Sequence, residues 1–180
     1  MTATKRDLLI HLAYWFSFFV FITLARQYFD LSYWAFWLGG LFGIILPDID
    51  HLIYVYFVKP QDLSSQRVGY LINKKEIKRG IYLLYETISE RKELIFHSVF
   101  FQIIFLVLTF WVMSSSGSLF GRGLVLSFAL HLSIDQVIDL TELKSFDNWL
   151  KLSPIIFDSN KAKIYVLVVI LLVCFFGFLL

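Results

Sequence analysis

Five stretches of the chain are almost unbroken runs of apolar residues, at about 8–25, 33–57, 95–113, 119–140 and 164–180. A helix of about 20 such residues crosses the hydrocarbon core of a bilayer, so each run predicts a spanning helix. The second run contains Pro47, which predicts a kink or an end there, with Leu52 to Val58 continuing as helix at or beyond the interface. The fourth carries Arg122, His131, Asp135 and Asp139, so it needs a protein-lined environment. Two polar stretches, about 59–94 and 141–163, interrupt the runs. In the first, Ile77, Ile81, Leu84 and Ile88 recur at helical spacing among basic residues, which predicts an amphipathic helix lying on the membrane or capping the bundle. The second mixes Phe146, Trp149, Leu150 and Pro154 with lysines and reads as an interfacial re-entry segment. Ser114 to Ser118 form a turn between the third and fourth runs. The fold class expected is all-α: one polytopic membrane domain, 1–180, with about five transmembrane helices.

Composition agrees. Hydrophobic residues make up 58% and charged ones only 17%, too apolar for a soluble domain. A net charge of +2 gives no reason to expect a nucleic-acid partner. Cys174 is the single cysteine, which rules out an internal disulfide and paired-cysteine metal chemistry. The first run follows Lys5 and Arg6 but has no small-residue cleavage site after it, so it reads as a retained helix. With five alternating spans, 14 of the 16 basic residues fall on the side of the N-terminus, leaving only Arg26 and Arg122 opposite. The positive-inside rule then makes the N-terminus cytoplasmic and the C-terminus external. Membrane lipids are the expected partners, and the basic loop would attract anionic headgroups.

Candidate chemistry lies in the ionisable residues set into these apolar runs. They are His11, His51, His97 and His131, with Asp48, Asp50, Asp135 and Asp139. The expected topology puts all four histidines in one leaflet, on the cytoplasmic side. His131 and Asp135 are four apart and share a helix face, and Asp139 extends that stripe by a turn. A stripe of this kind facing lipid is very unfavourable, so it is expected to face the interior. Imidazole with carboxylate suits a divalent metal, zinc first, with manganese or magnesium also open. Taken alone, Asp139 reads as a helix-end carboxylate, Ser98 as a helix cap, and Arg122 as a residue snorkelling to headgroups.

Leu46-Pro47-Asp48-Ile49-Asp50-His51 resembles the LPDIDH signature of the YdjM-like inner-membrane metal-dependent hydrolases. That family has an early histidine near its first helix, matched by His11. It has an HRGxTHS segment, whose closing pair is matched by His97-Ser98, and a later His-x-x-x-Asp pair, matched by His131 and Asp135. The similar segments come in the same order over most of the chain. Lys92-Glu93-Leu94-Ile95-Phe96 stands where the family has the rest of HRGxTHS, so Glu93 is a candidate replacement ligand. The resemblance implies a multi-pass hydrolase of the inner (plasma) membrane without naming a substrate.

The reading drawn from these residues is a membrane-embedded metal-dependent hydrolase at the cytoplasmic leaflet, acting on a lipid ester or phosphoester. His11, Asp48, Asp50, His51, His97, His131 and Asp135 are the candidate metal ligands, Asp50 or Glu93 the proton carrier, and Lys92 a phosphate-binding residue. Three other readings stay open: a divalent-metal transporter, disfavoured by the apolar outer halves of the spans; a bis-histidine haem protein, disfavoured by the neighbouring carboxylates; and a catalytically degenerate metal-binding or scaffold protein.

Overall fold

The computed structural model describes residues 3–152 and 157–179, and every regular element among them is helical. Helix α1 (Ala3–Arg26) contains neither glycine nor proline, so nothing interrupts it across the apolar run. The second run begins with a 3₁₀ turn at Leu31–Tyr33, continues as α2 (Trp34–Ile45), tightens into a 3₁₀ turn at Leu46–Asp48, and resumes as α3 (Ile49–Ile53). A π-turn at Tyr54–Val58 ends it. Pro47 therefore tightens the chain without breaking it: its ring lacks the N–H that a regular turn would use, and the short turn needs none there.

Helices α6 (Val99–Ser115) and α7 (Leu119–Ile138) form a hairpin, and α9 (Ser159–Phe178) closes the bundle. Four helical stretches are long and apolar enough to cross a membrane: Arg6–Arg26, Leu31–Val58, Leu119–Glu142 and Ser159–Phe178. The chain is thus an all-α membrane bundle. The third expected span is shorter than the sequence suggests. Ser98 caps α6 by accepting from the Phe101 N–H, so residues 95–98 form a loop instead of a first helical turn.

The bundle is organised around α7. In its most apolar window 61% of residues are buried, against 17% for the first helix. It packs most intimately on α2, where small residues remove the barrier to close approach. A Cβ added at Gly39, Gly43 or Gly123 would run into the backbone carbonyl of Phe120, Leu124 or Phe36 respectively. A polar clamp ties α7 to its other neighbours: Gln136 Nε2 donates to Gln102 Oε1 at 2.6 Å, Gln102 Nε2 returns a bond at 3.3 Å, and the Tyr165 hydroxyl donates to Gln102 Oε1 at 2.6 Å.

The stretch 59–94 holds two helices, α4 (Leu63–Asn73) and α5 (Ile77–Glu86), where the periodicity predicts one. Val68 and Leu84 pack over Val55, while Ile77 and Ile81 stay exposed. The last polar stretch contains a π-turn at Asp139–Leu143 and the single-turn α8 (Asp147–Leu150), whose Trp149 is buried. The expected re-entry segment falls partly on residues 153–156, Pro154 included, which lie outside the described residues.

Candidate metal centre

Four separate segments deliver histidine or carboxylate groups to one point at the α1 N-terminal end of the bundle. Asp135, in the last turn of α7, is its centre. His11 Nε2 from α1 lies 3.0 Å from Asp135 Oδ1. His131 Nε2, one turn back on α7, lies 3.1 Å from Asp135 Oδ2, and His97 Nε2 from the loop before α6 lies 3.1 Å from the same oxygen. Asp48, in the turn that Pro47 enforces, brings Oδ1 to 3.7 Å from His131 Nε2. His11, His131 and Asp135 offer donor atoms that all lie within 4.8 Å of one another.

The ring orientations have an identifiable cause. His11 Nδ1 stands 2.9 Å from the carbonyl oxygen of Asp7, and His131 Nδ1 stands 2.6 Å from that of Ile44. A carbonyl oxygen only accepts, so Nδ1 carries a proton in both rings, and in the neutral tautomer that leaves the Nε2 lone pair turned toward Asp135. His97 Nδ1 is likewise held by a carboxylate, Asp50 Oδ2, at 3.1 Å. Anchoring the far nitrogen to a carbonyl or carboxylate is how metal-ligating histidines are fixed. Three nitrogen lone pairs around one carboxylate repel unless a cation, either protons or a metal ion, lies among them. His11 Nε2 is buried and off the line a hydrogen bond requires, although it is within 3.0 Å of the carboxylate. Ligands about 2.0–2.1 Å from a tetrahedral zinc ion stand about 3.3 Å apart, close to the spacing found here. The donor set therefore fits a divalent ion.

Other residues named from the sequence stand elsewhere. Asp50 is fully buried and faces away from the centre: it accepts from the N–H groups of Ile95, Phe96 and His97 at 3.1, 2.6 and 3.2 Å. That corrects its expected roles as ligand and proton carrier. It is the group that folds the 95–97 loop and aims His97. His51 accepts at Nδ1 from Arg91 Nε at 3.2 Å, which turns it from the ligand set. Glu93 pairs with Lys59 at 3.2 Å on the half-exposed surface, so it is not placed to replace a ligand or carry a proton. Lys92 is exposed but does line the cavity beside the centre.

That cavity has a volume of about 440 Å³, within the range of small-molecule sites. His11, Asp48, His51, His97, His131 and Asp135 line it, as do residues the sequence reading left in the background. Asp139 accepts from the indole N–H of the buried Trp149 at 2.7 Å and faces the same space. Tyr85 donates to Asp48 Oδ2 at 3.4 Å. Arg91 is buried against His51. Asp139 had a readable signal, since it continues the 131/135 stripe by one turn. Arg91 had none, being one of eight basic residues in its stretch. No family model, curated protein or solved structure matches the chain.

Proposed function

We propose that the chain is a membrane-embedded metal-dependent hydrolase, similar to the YdjM-like family, with Asp135, His11, His97 and His131 as its metal ligands and Asp48 beside them. The observation that carries this reading is the convergence of three anchored histidines on one carboxylate inside a ligand-sized cavity. Three nitrogens with one or two carboxylate oxygens favour zinc, with manganese next. A bound divalent ion supplies Lewis-acid polarisation of an ester or phosphoryl oxygen and acidifies water near neutral pH.

The chain's own residues supply the remainder. Asp139, fixed by Trp149, takes up and returns the proton that Asp50 and Glu93 are not placed to handle. Hydrolysis adds one water: its oxygen joins the acyl carbon or phosphorus, and the ester oxygen leaves with a proton. The segments that carry the family resemblance, Leu46 to His51, His11, His97-Ser98 and His131/Asp135, are the ones gathered here. The cavity reaches α7 only from His131 onward, which favours a site opening on one side over a path through the bilayer. The charge pattern favours a cytoplasmic opening and the family resemblance an inner-membrane location, so esters at headgroup depth are the accessible substrates.

Hydrolysis of p-nitrophenyl esters and phosphoesters by purified protein tests the reading. Chelation should abolish turnover, divalent metal should restore it, and His131→Ala should lower it about 100-fold. Turnover indifferent to both chelator and His131→Ala would refute it.

A further inference from the structure

Arg91 is a buried cation that the metal centre leaves unexplained. Its side chain is only 2% exposed. The acceptors that reach it among the described residues are neutral: His51 Nδ1 at 3.2 Å, Thr87 Oγ1 at 3.0 Å and the carbonyl oxygen of Leu84. A guanidinium has five N–H groups, so two remain without an acceptor among the described residues. Burial lowers Arg91 to about 10, so it keeps its charge at neutral pH. Glu90 attracts that charge without forming an ion pair among the described residues, and burying a charge so weakly compensated is costly. The other cations on the cavity differ in kind: Arg6 is paired with Glu142, and Lys92 is solvent-exposed.

The contact with Arg91 also fixes the state of His51. Because Arg91 Nε donates to Nδ1, the ring proton sits on Nε2, the reverse of His11 and His131. His51 and Arg91 both line the cavity, so donor groups face acceptor-rich ligands across one space. A guanidinium fork matches the paired oxygens of a phosphate, which an uncharged carboxylic ester lacks.

We propose that Arg91 and His51 bind the phosphate oxygens of the substrate, so that phosphate esters, not carboxylic esters, are the class this site takes. The proposal rests on the hydrolase reading above. A lipid headgroup and a soluble phosphate ester share this chemistry.

The test is calorimetric titration of inorganic phosphate into the full-length protein in phosphatidylcholine nanodiscs, with metal content measured on the same samples. Wild type should bind phosphate, Arg91→Gln should weaken binding about tenfold or more, and Arg91→Lys, which keeps charge but loses the fork, should weaken it less. Bound metal should be unchanged in both. Phosphatidic acid in the nanodiscs that competes with free phosphate identifies a headgroup ligand, and absence of competition identifies a soluble one. Phosphate affinity equal in wild type and Arg91→Gln would overturn the proposal and leave the metal centre standing. Arg91-dependent phosphate binding in a protein that takes up no metal would do the reverse. If Arg91→Gln does not fold, wild type decides: binding neutral triethyl phosphate as tightly as phosphate would overturn the proposal.

Discussion

Asp50 shows how one buried side chain can hold a site without belonging to it. It accepts from three backbone N–H groups and from His97, so Asp50→Ala strands those donors in a buried place. The expected cost is about 3 kcal/mol of stability together with loss of bound metal, measured by thermal unfolding and metal analysis. Glu93→Gln should change neither, because the Lys59–Glu93 pair is half-exposed and such pairs contribute about 0–1 kcal/mol. A metal loss in Glu93→Gln equal to that in Asp50→Ala would reverse these assignments. The residue types of the centre were legible in the sequence, since His11, His97, His131 and Asp135 were all candidates. The division of labour among neighbours was not. Asp48 and Asp50 are two apart in one motif, yet Asp48 turns to the cavity and Asp50 to a loop 45 residues away. No local pattern carries that information, because the loop that Asp50 satisfies is remote in sequence.

The contact between α2 and α7 sets the position of the candidate metal centre, since it leads to Asp48 on one side and carries His131 with Asp135 on the other. Gly43→Leu or Gly123→Leu would push a side chain into a backbone carbonyl that cannot swing aside. Each should destabilise the bundle by about 2–3 kcal/mol and lower metal content with it. Gly69→Ala in α4 is the control: nothing lies within 4 Å of the added carbon. It should be neutral or stabilise by up to about 1 kcal/mol, since a mid-helix glycine is replaced by the best helix former. The Gln102–Gln136 clamp is a weaker tie, and Gln136→Leu should cost about 1 kcal/mol. Helix existence followed from the apolar runs, and the Ser98 cap from a serine placed near a helix start. The glycine seam did not, although Gly39 and Gly43 stand four apart, because composition-level hydropathy says nothing about which helix faces touch. The shortened α6 likewise reflects a tertiary contact: Asp50 draws residues 95–97 out of the helix that their hydrophobicity favours.

For the whole molecule, the charge asymmetry predicts an orientation that can be read directly. In a Cys174→Ser background, a membrane-impermeant thiol reagent applied to intact cells should label Ser116→Cys, between α6 and α7. It should label Lys74→Cys, between α4 and α5, only after permeabilisation. The reverse pattern would place the cavity on the outer face and remove cytoplasmic esters as substrates. The central claim is that α1 and α7 share one metal ion. Its most direct test is the metal-to-protein ratio of purified wild type, His11→Ala and Asp135→Ala by elemental mass spectrometry, after equilibration with zinc and manganese. About one divalent ion per chain in wild type, lost in both variants while each remains folded, is the predicted result. A wild-type protein that takes up no metal, or variants that both retain it, would contradict the account.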